Sequence, residues 1–208
     1  MVLPIIYRKN PGIDVRYDWQ DFATGNGYIK FYGACSVIAG PTRVYFLTTE
    51  TLDSSTGDGM GEGVWTDNNM AGSSLDIDFD VTMNVPADVA AGIAYVELSI
   101  KMWDDDFGTS SATIYHVTPG GVETSLGTAT HCIEEGTATE VPFRDLLKIS
   151  TTAKHFAVGD RLRLTIGVAF NDNGRLYHDP SSALTFVDIR GRTIGTDLSV
   201  SIPFKVNN

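Results

Sequence analysis

Four histidines, at 116, 131, 155 and 178, are the side chains of this chain whose charge changes most readily near neutral pH. His178 stands in RLYHDP (175–180), directly before Asp179. A catalytic His–Asp pair needs a nucleophile or a metal within hydrogen-bond reach. Adjacent residues on a strand point to opposite faces, so Asp179 would not orient His178 there. Pro180 restricts Asp179 to extended conformations, and the Asp–Pro step favours a turn. The stretch therefore reads as a turn. No two of the histidines show the helical i, i+4 spacing or the short strand spacing of a metal site.

The carboxylates raise a second chemistry. Asp104, Asp105 and Asp106 form a run that could attract a hard cation such as calcium. The run lacks the alternating D-x-D-x-D-G order of a calcium loop and reads as a solvated connection between strands. Asp76, Asp78 and Asp80 alternate with apolar residues, as an acidic stripe on one wet sheet face would. Cys35 lies in an apolar run and reads as a buried thiol. With Cys132 as its only possible partner, there is no disulfide framework. The chain has no G-x-S-x-G, P-loop, dinucleotide fingerprint or C-x-x-C. No catalytic residue, cofactor-binding residue or metal ligand is therefore expected. Sugar binding would need exposed aromatics, for which Trp19, Trp65 and Trp103 are candidates.

The elements that would position these groups are strands. Period-two alternation runs through 74–83 (SLDIDFDVTM), 94–103 (AYVELSIKMW), 161–170 (RLRLTIGVAF) and 198–206 (LSVSIPFKV). One face of each run is apolar and the other wet, the pattern of antiparallel sheets. Further strands are expected at 27–33, 43–49, 112–117 and 123–129, the last two joined by the PGG turn at 119–121. VGD (158–160) reads as a turn, and 187–197 as a Gly-broken segment with a turn near Arg190 and Gly191. Helix signals are poor: 141–150 (VPFRDLLKIS) could hold one or two turns, and 86–92 (PADVAAG) is short. Residues 51–74 read as a long Gly-rich loop carrying Trp65.

The fold expected is all-β, an antiparallel two-sheet β-sandwich of jelly-roll type over 25–208. It is preceded by an extended N-terminal arm over 1–24, which packs on its own sandwich or pairs with a neighbouring subunit. The 208 residues suffice for one core without disulfide or metal. A formal charge of -11 and the absence of a basic run argue against nucleic acid as a partner, unless the fold assembles a local patch. No apolar run is long enough to span a membrane, and the N-terminus does not read as a signal peptide, so a soluble protein made in a cytoplasm is expected.

Four pieces, in order, carry a resemblance. They are YDWQDFATGNGYIKFYGA (17–34), ATIYHVTPGGVETSLGTAT (112–130), HFAVGDRLRLTI (155–166), and RLYHDP (175–180) followed by the closing IPFKV (202–206). Together they resemble a group of jelly-roll virion structural proteins of tailed bacteriophages and related archaeal viruses. The resemblance implies a particle component that is not an enzyme, in particular a capsid decoration or cement protein on the surface of a phage-like head. Its implied partner is the major capsid protein or another virion structural protein. A symmetric homo-oligomer, a trimer first, suits such a lattice. The expected contacts are Ile5, Tyr7, Tyr17 and Trp19 of the arm and Trp65 of the long loop, because aromatics are enriched at interfaces. The alternative is a glycan-binding or receptor-binding module with exposed aromatics on a sheet face. A third reading, a hydrolase on the same scaffold, would bring His178 to the carboxylates of 104–106.

Overall fold

The computed structural model describes residues 15–16, 26–39, 42–49, 64–67, 75–102, 107–134, 143–170, 174–178, 185–187, 193–195 and 198–205. Among them every regular element is a strand: β1 (Val15–Arg16), β2 (Asn26–Ala39), β3 (Thr42–Thr48), β4 (Val64–Asp67), β5 (Leu75–Thr82), β6 (Ala87–Val89), β7 (Gly92–Met102), β8 (Phe107–Val117), β9 (Glu123–Glu134), β10 (Phe143–Thr151), β11 (Lys154–Phe156), β12 (Arg161–Phe170), β13 (Gly174–Tyr177), β14 (Thr185–Val187), β15 (Thr193–Gly195) and β16 (Ser199–Lys205). The alternating runs became strands because each places one apolar row inward. Leu162, Leu164, Ile166 and Val168 of β12 are buried, as are Val96, Leu98 and Ile100 of β7.

The principal strands order themselves as two sheets. One runs β10, β7, β16, β2, and the other β5, β12, β8, β9. Numbered one to eight along the chain, these strands lie 6–3–8–1 in the first sheet and 2–7–4–5 in the second. That is the wrap of a jelly roll, so the expected fold class holds. The long connections of the wrap alternate between the sheets, and all the pairings within each sheet are antiparallel. One parallel contact, Phe46 on β3 with Asp80 on β5, links the sheets along one side. The core lies between them, Phe31, Leu147, Ile149, Val200 and Ile202 from the first sheet meeting Phe79, Ile114, Leu164 and Ile166 from the second.

Three expectations are corrected. The segment 141–150 is no helix: it carries β10, paired along its length with β7 from Phe143↔Ile100 to Thr151↔Gly92. The adjacent Leu146 and Leu147 look helical in sequence, but they point apart, Leu147 into the core and Leu146 to solvent. The segment 86–92 holds β6, paired with β11. The segment 51–74 is not all loop, because β4 lies within it and pairs Trp65 with Leu176 of β13. Within 1–24, Val15–Arg16 forms β1 and pairs with Tyr28 and Ile29 of the same chain, and the rest of the expected arm lies outside the described residues.

The side opposite the β3–β5 contact is where β9 and β10 form the facing edges of the two sheets. There a β-bulge between Ile114 and Tyr115 in the β8–β9 ladder sets Leu126 inward, where it is buried. The Thr152 amide then donates to the Leu126 carbonyl at 2.9 Å, crossing from one sheet edge to the other.

Candidate functional site

Three groups of polar or apolar side chains stand out, and each is set in place by the strands above.

The first is a Ser–Asp–His constellation at the β9–β10 edge. Asp145 occupies an inward position of β10, in step with Leu147 and Ile149, so its carboxylate is buried. Ser110 on β8 and His131 on β9 are register partners, and both side chains reach Asp145. The Ser110 hydroxyl donates to Asp145 Oδ2, and His131 Nδ1 lies 2.7 Å from Oδ1. The residue types are those of a hydrolytic triad, but the order differs. A nucleophilic serine needs the imidazole at its hydroxyl, with the carboxylate behind the imidazole. Here the carboxylate stands between the two, and Ser110 is wholly buried. What the arrangement does is clip the sheets together: Ser110 and His131 belong to one sheet and Asp145 to the other.

The second group is at one end of the sandwich, where three turns meet. Met83 and Asp160 exchange backbone contacts with the facing turn, Met83 N to Asp160 O at 2.8 Å and Gly159 N to Met83 O at 2.9 Å. The VGD turn forms as expected, with Gly159 at φ +89°, and the PGG turn likewise, with Gly121 at φ +82°. His116 Nε2 donates to Asp160 Oδ2 at 2.8 Å, and the Ala157 amide donates to the same oxygen at 2.8 Å. The His116 ring stands edge-on to Phe156, with centroids 4.8 Å apart. The Asp160 carboxyl is held below the ordinary 3.8, first by the His116 hydrogen bond, then by the Ala157 amide, against the opposing effect of burial. A folded-state pKa below the unfolded one means stability that is present above 3.8 and lost as pH falls through the lower folded value. Asp160→Asn is expected to flatten the fall of the urea midpoint as pH drops from 3.8 through the lower folded value. Midpoints measured from pH ~2 to ~6 check this, and an unchanged slope would contradict it.

These turns also carry apolar residues outward. Val85, Val122 and Val158 are 63%, 64% and 61% exposed. Each is the tip of one turn, and the space beside Gly159 is bounded by Pro119. The result is an end of the second sheet that shows three exposed valines, an apolar tip.

The third group is the outer face of the first sheet. Tyr28 of β2 and Tyr95 of β7 have ring centroids 6.0 Å apart. The Tyr28 hydroxyl donates to the Ile93 carbonyl at 3.0 Å. Leu146 of β10 is half exposed beside them. Charges frame this patch: Lys30 and Arg144 both approach Glu97, at 3.8 and 3.5 Å, and Lys148 stands opposite Tyr95 in the register. Lys30 also lies 4.9 Å from the centre of the Tyr32 ring.

The outer face of the second sheet is different. Arg163 of β12 grips Asp80 through Nε and Nη2 and reaches Asp78 and Glu123, while Arg161 also holds Asp80. Asp78 further accepts from Thr165 at 2.6 Å. Asp78 and Asp80 of the acidic stripe are thus ion-pair partners for β12, while Asp76 stands exposed opposite Gly167.

The residues singled out in sequence fall as follows. Ile5, Tyr7, Tyr17, Trp19, Trp103 and the run 104–106 lie outside the described residues. Trp65 is a strand residue of β4 rather than a loop residue. His178 directly follows β13 and is fully buried, its ring 5.7 Å from Phe79 and 5.4 Å from Tyr45 between centroids, while Asp179 and Pro180 of the expected turn lie outside the described residues. Cys35 is buried and Cys132 exposed, and neither forms a disulfide. The Ser110–Asp145–His131 clip was not found in sequence. Its members stand 35 and 14 residues apart, and only the fold joins them. Among the described residues no cluster of three or more His, Cys, Asp or Glu is placed to hold a metal, and no helix is long and apolar enough to cross a membrane.

No family model matches the chain, and no curated relative matches it. Solved structures do. An α-amino acid ester hydrolase is 14% identical over 63% of this chain and 25% of its own, with a TM-score of 0.45. A CocE/NonD family hydrolase from Staphylococcus aureus is 10% identical over 84% of this chain and 36% of its own, with a TM-score of 0.49. A structure of infectious bursal disease virus is 11% identical over 93% of this chain and 64% of its own, with a TM-score of 0.20. The chain spans about a quarter to a third of the length of the hydrolases. These likenesses concern the fold alone. They correct one expectation. The solved chains that contain such a fold include hydrolases, so the exclusion of enzymes drawn from sequence motifs is withdrawn.

Proposed function

We propose that this chain is a virion structural protein, a decoration or cement protein that attaches to the outside of a phage-like head and bridges its shell subunits. The observation that supports this reading best is the apolar tip. Three valines more than 60% exposed, on three turns at one end of the second sheet, two of them joined by backbone hydrogen bonds, are costly to leave in water and suit a protein surface that covers them. The sequence resemblance gives the kind of assembly, and the rigid jelly roll behind the tip gives a spacer that holds it in one orientation. Attachment stabilises the particle by mass action, because the chain binds the assembled shell and not its separated subunits.

The test uses the full chain and virus particles purified from the source culture and stripped of this protein. The variant Val85→Ser/Val122→Ser/Val158→Ser is expected to fold normally, since the three positions face solvent. It is expected to bind the stripped particles at least ~10-fold more weakly in cosedimentation, about 1.4 kcal/mol. Unchanged binding would remove the tip from the contact.

A further inference from the structure

We propose that the outer face of the first sheet is where this chain meets a second copy of itself, and that the contact is heterologous. Ile93 and Tyr95 are each 37% exposed and Leu146 is 50% exposed. They lie together, because Ile93 and Tyr95 share one face of β7 and Leu146 stands diagonal to Tyr95 across the β7–β10 ladder. Branched aliphatic side chains at the centre of the patch fit a protein partner. Sugars and bases stack on flat rings, and the Tyr28 hydroxyl is already bonded to the backbone of β7.

Charge then selects the partner. Among the described residues of β2, β7 and β10, the outward charges are Lys30, Arg144 and Lys148 against Glu97. The chain as a whole has 26 acidic residues against 15 basic ones. An apolar patch with a basic rim calls for an acidic protein surface, and this chain supplies one. The outer face of its second sheet bears Asp76, Asp78, Asp80 and Glu123 against Arg161 and Arg163. Two copies meeting through the same basic face would set cations against cations. The first sheet of one copy against the second sheet of the next brings opposite charges together, and such a contact repeats around a ring. This association does not depend on the particle reading.

Sedimentation velocity of the full chain tests it, from ~1 to ~100 µM in ~50 mM and ~500 mM salt. The expected result is a concentration-dependent oligomer that weakens in high salt. Lys148→Glu and Asp76→Lys, both at exposed positions, should each weaken it at least ~10-fold, and Leu146→Asp should do so as well. Mixing the Lys148→Glu and Asp76→Lys proteins should restore association, because each then offers one intact or complementary face to the other. Thermal midpoints within a degree or two of the parent show that the variants fold. A monomer at every concentration would overturn the proposal. So would an oligomer indifferent to all three substitutions, or one strengthened by Lys148→Glu alone, which would mean that like faces meet.

Discussion

Gly127→Ala is expected to lower the stability of this chain by about 3 kcal/mol, a large share of what a domain of this size has. A β-carbon on Gly127 would stand 2.3 Å from the carbonyl oxygen of Ser150 and 2.7 Å from Ile149 Cγ2. Real atoms do not approach so closely, and the nearer of the two is backbone. That oxygen cannot swing aside as a side chain would, because β10 is tied to β7 along its length, with Ser150 opposite Ile93. Relief requires β9 and β10 to part, which breaks the Thr152–Leu126 bond and uncovers Leu126. The check is urea unfolding followed by circular dichroism. A midpoint equal to that of the parent would show that the two sheet edges do not meet as described.

Asp145→Ala is expected to cost about 3 kcal/mol. The carboxylate is buried and accepts from Ser110, whose hydroxyl is itself out of reach of water. Removing Asp145 leaves that hydroxyl without this acceptor and leaves a void beside Leu147. The His131 side chain is 58% exposed and rehydrates, which keeps the loss at the lower end for a broken buried pair. The double variant Ser110→Ala/Asp145→Leu separates the two contributions. With neither polar group left inside, it should regain much of the loss. Equal destabilisation of the single and double variants would mean that packing, not the hydrogen-bonded clip, sets the cost.

These two sites are also where local reading of the sequence runs out. Period-two patterning located β5, β7, β12 and β16 because one face of each is uniformly apolar, and the jelly-roll class follows from strands of this kind with long connections. In β10 the inward row is Asp145, Leu147, Ile149, Thr151. A carboxylate and a hydroxyl on the core side spoil the alternation, and the segment reads as a short helix. The partners that make Asp145 tolerable inside lie on β8 and β9, beyond any local window. The burial of His178 is equally out of local reach. Its Asp–Pro neighbours signal a turn, but the ring packs against Phe79 and Tyr45, brought there from two other strands. The tip shows the same limit. VGD and PGG are legible as turns one at a time, and only the strand order brings the turns that carry Val85, Val122 and Val158 to one end of the sheet. The basic face is invisible in composition, since an excess of acid over the whole chain hides three cations collected on one sheet.

Where the protein resides decides the central claim most directly. An antibody raised against the full chain, carried on gold and applied to virus particles purified from the source culture, should label intact heads over their outer surface. Mass spectrometry of the same particles should find the chain in stoichiometric amounts. Particles that carry neither label nor chain, with the protein recovered only from the particle-free fraction, would contradict the account of a capsid-bound structural protein.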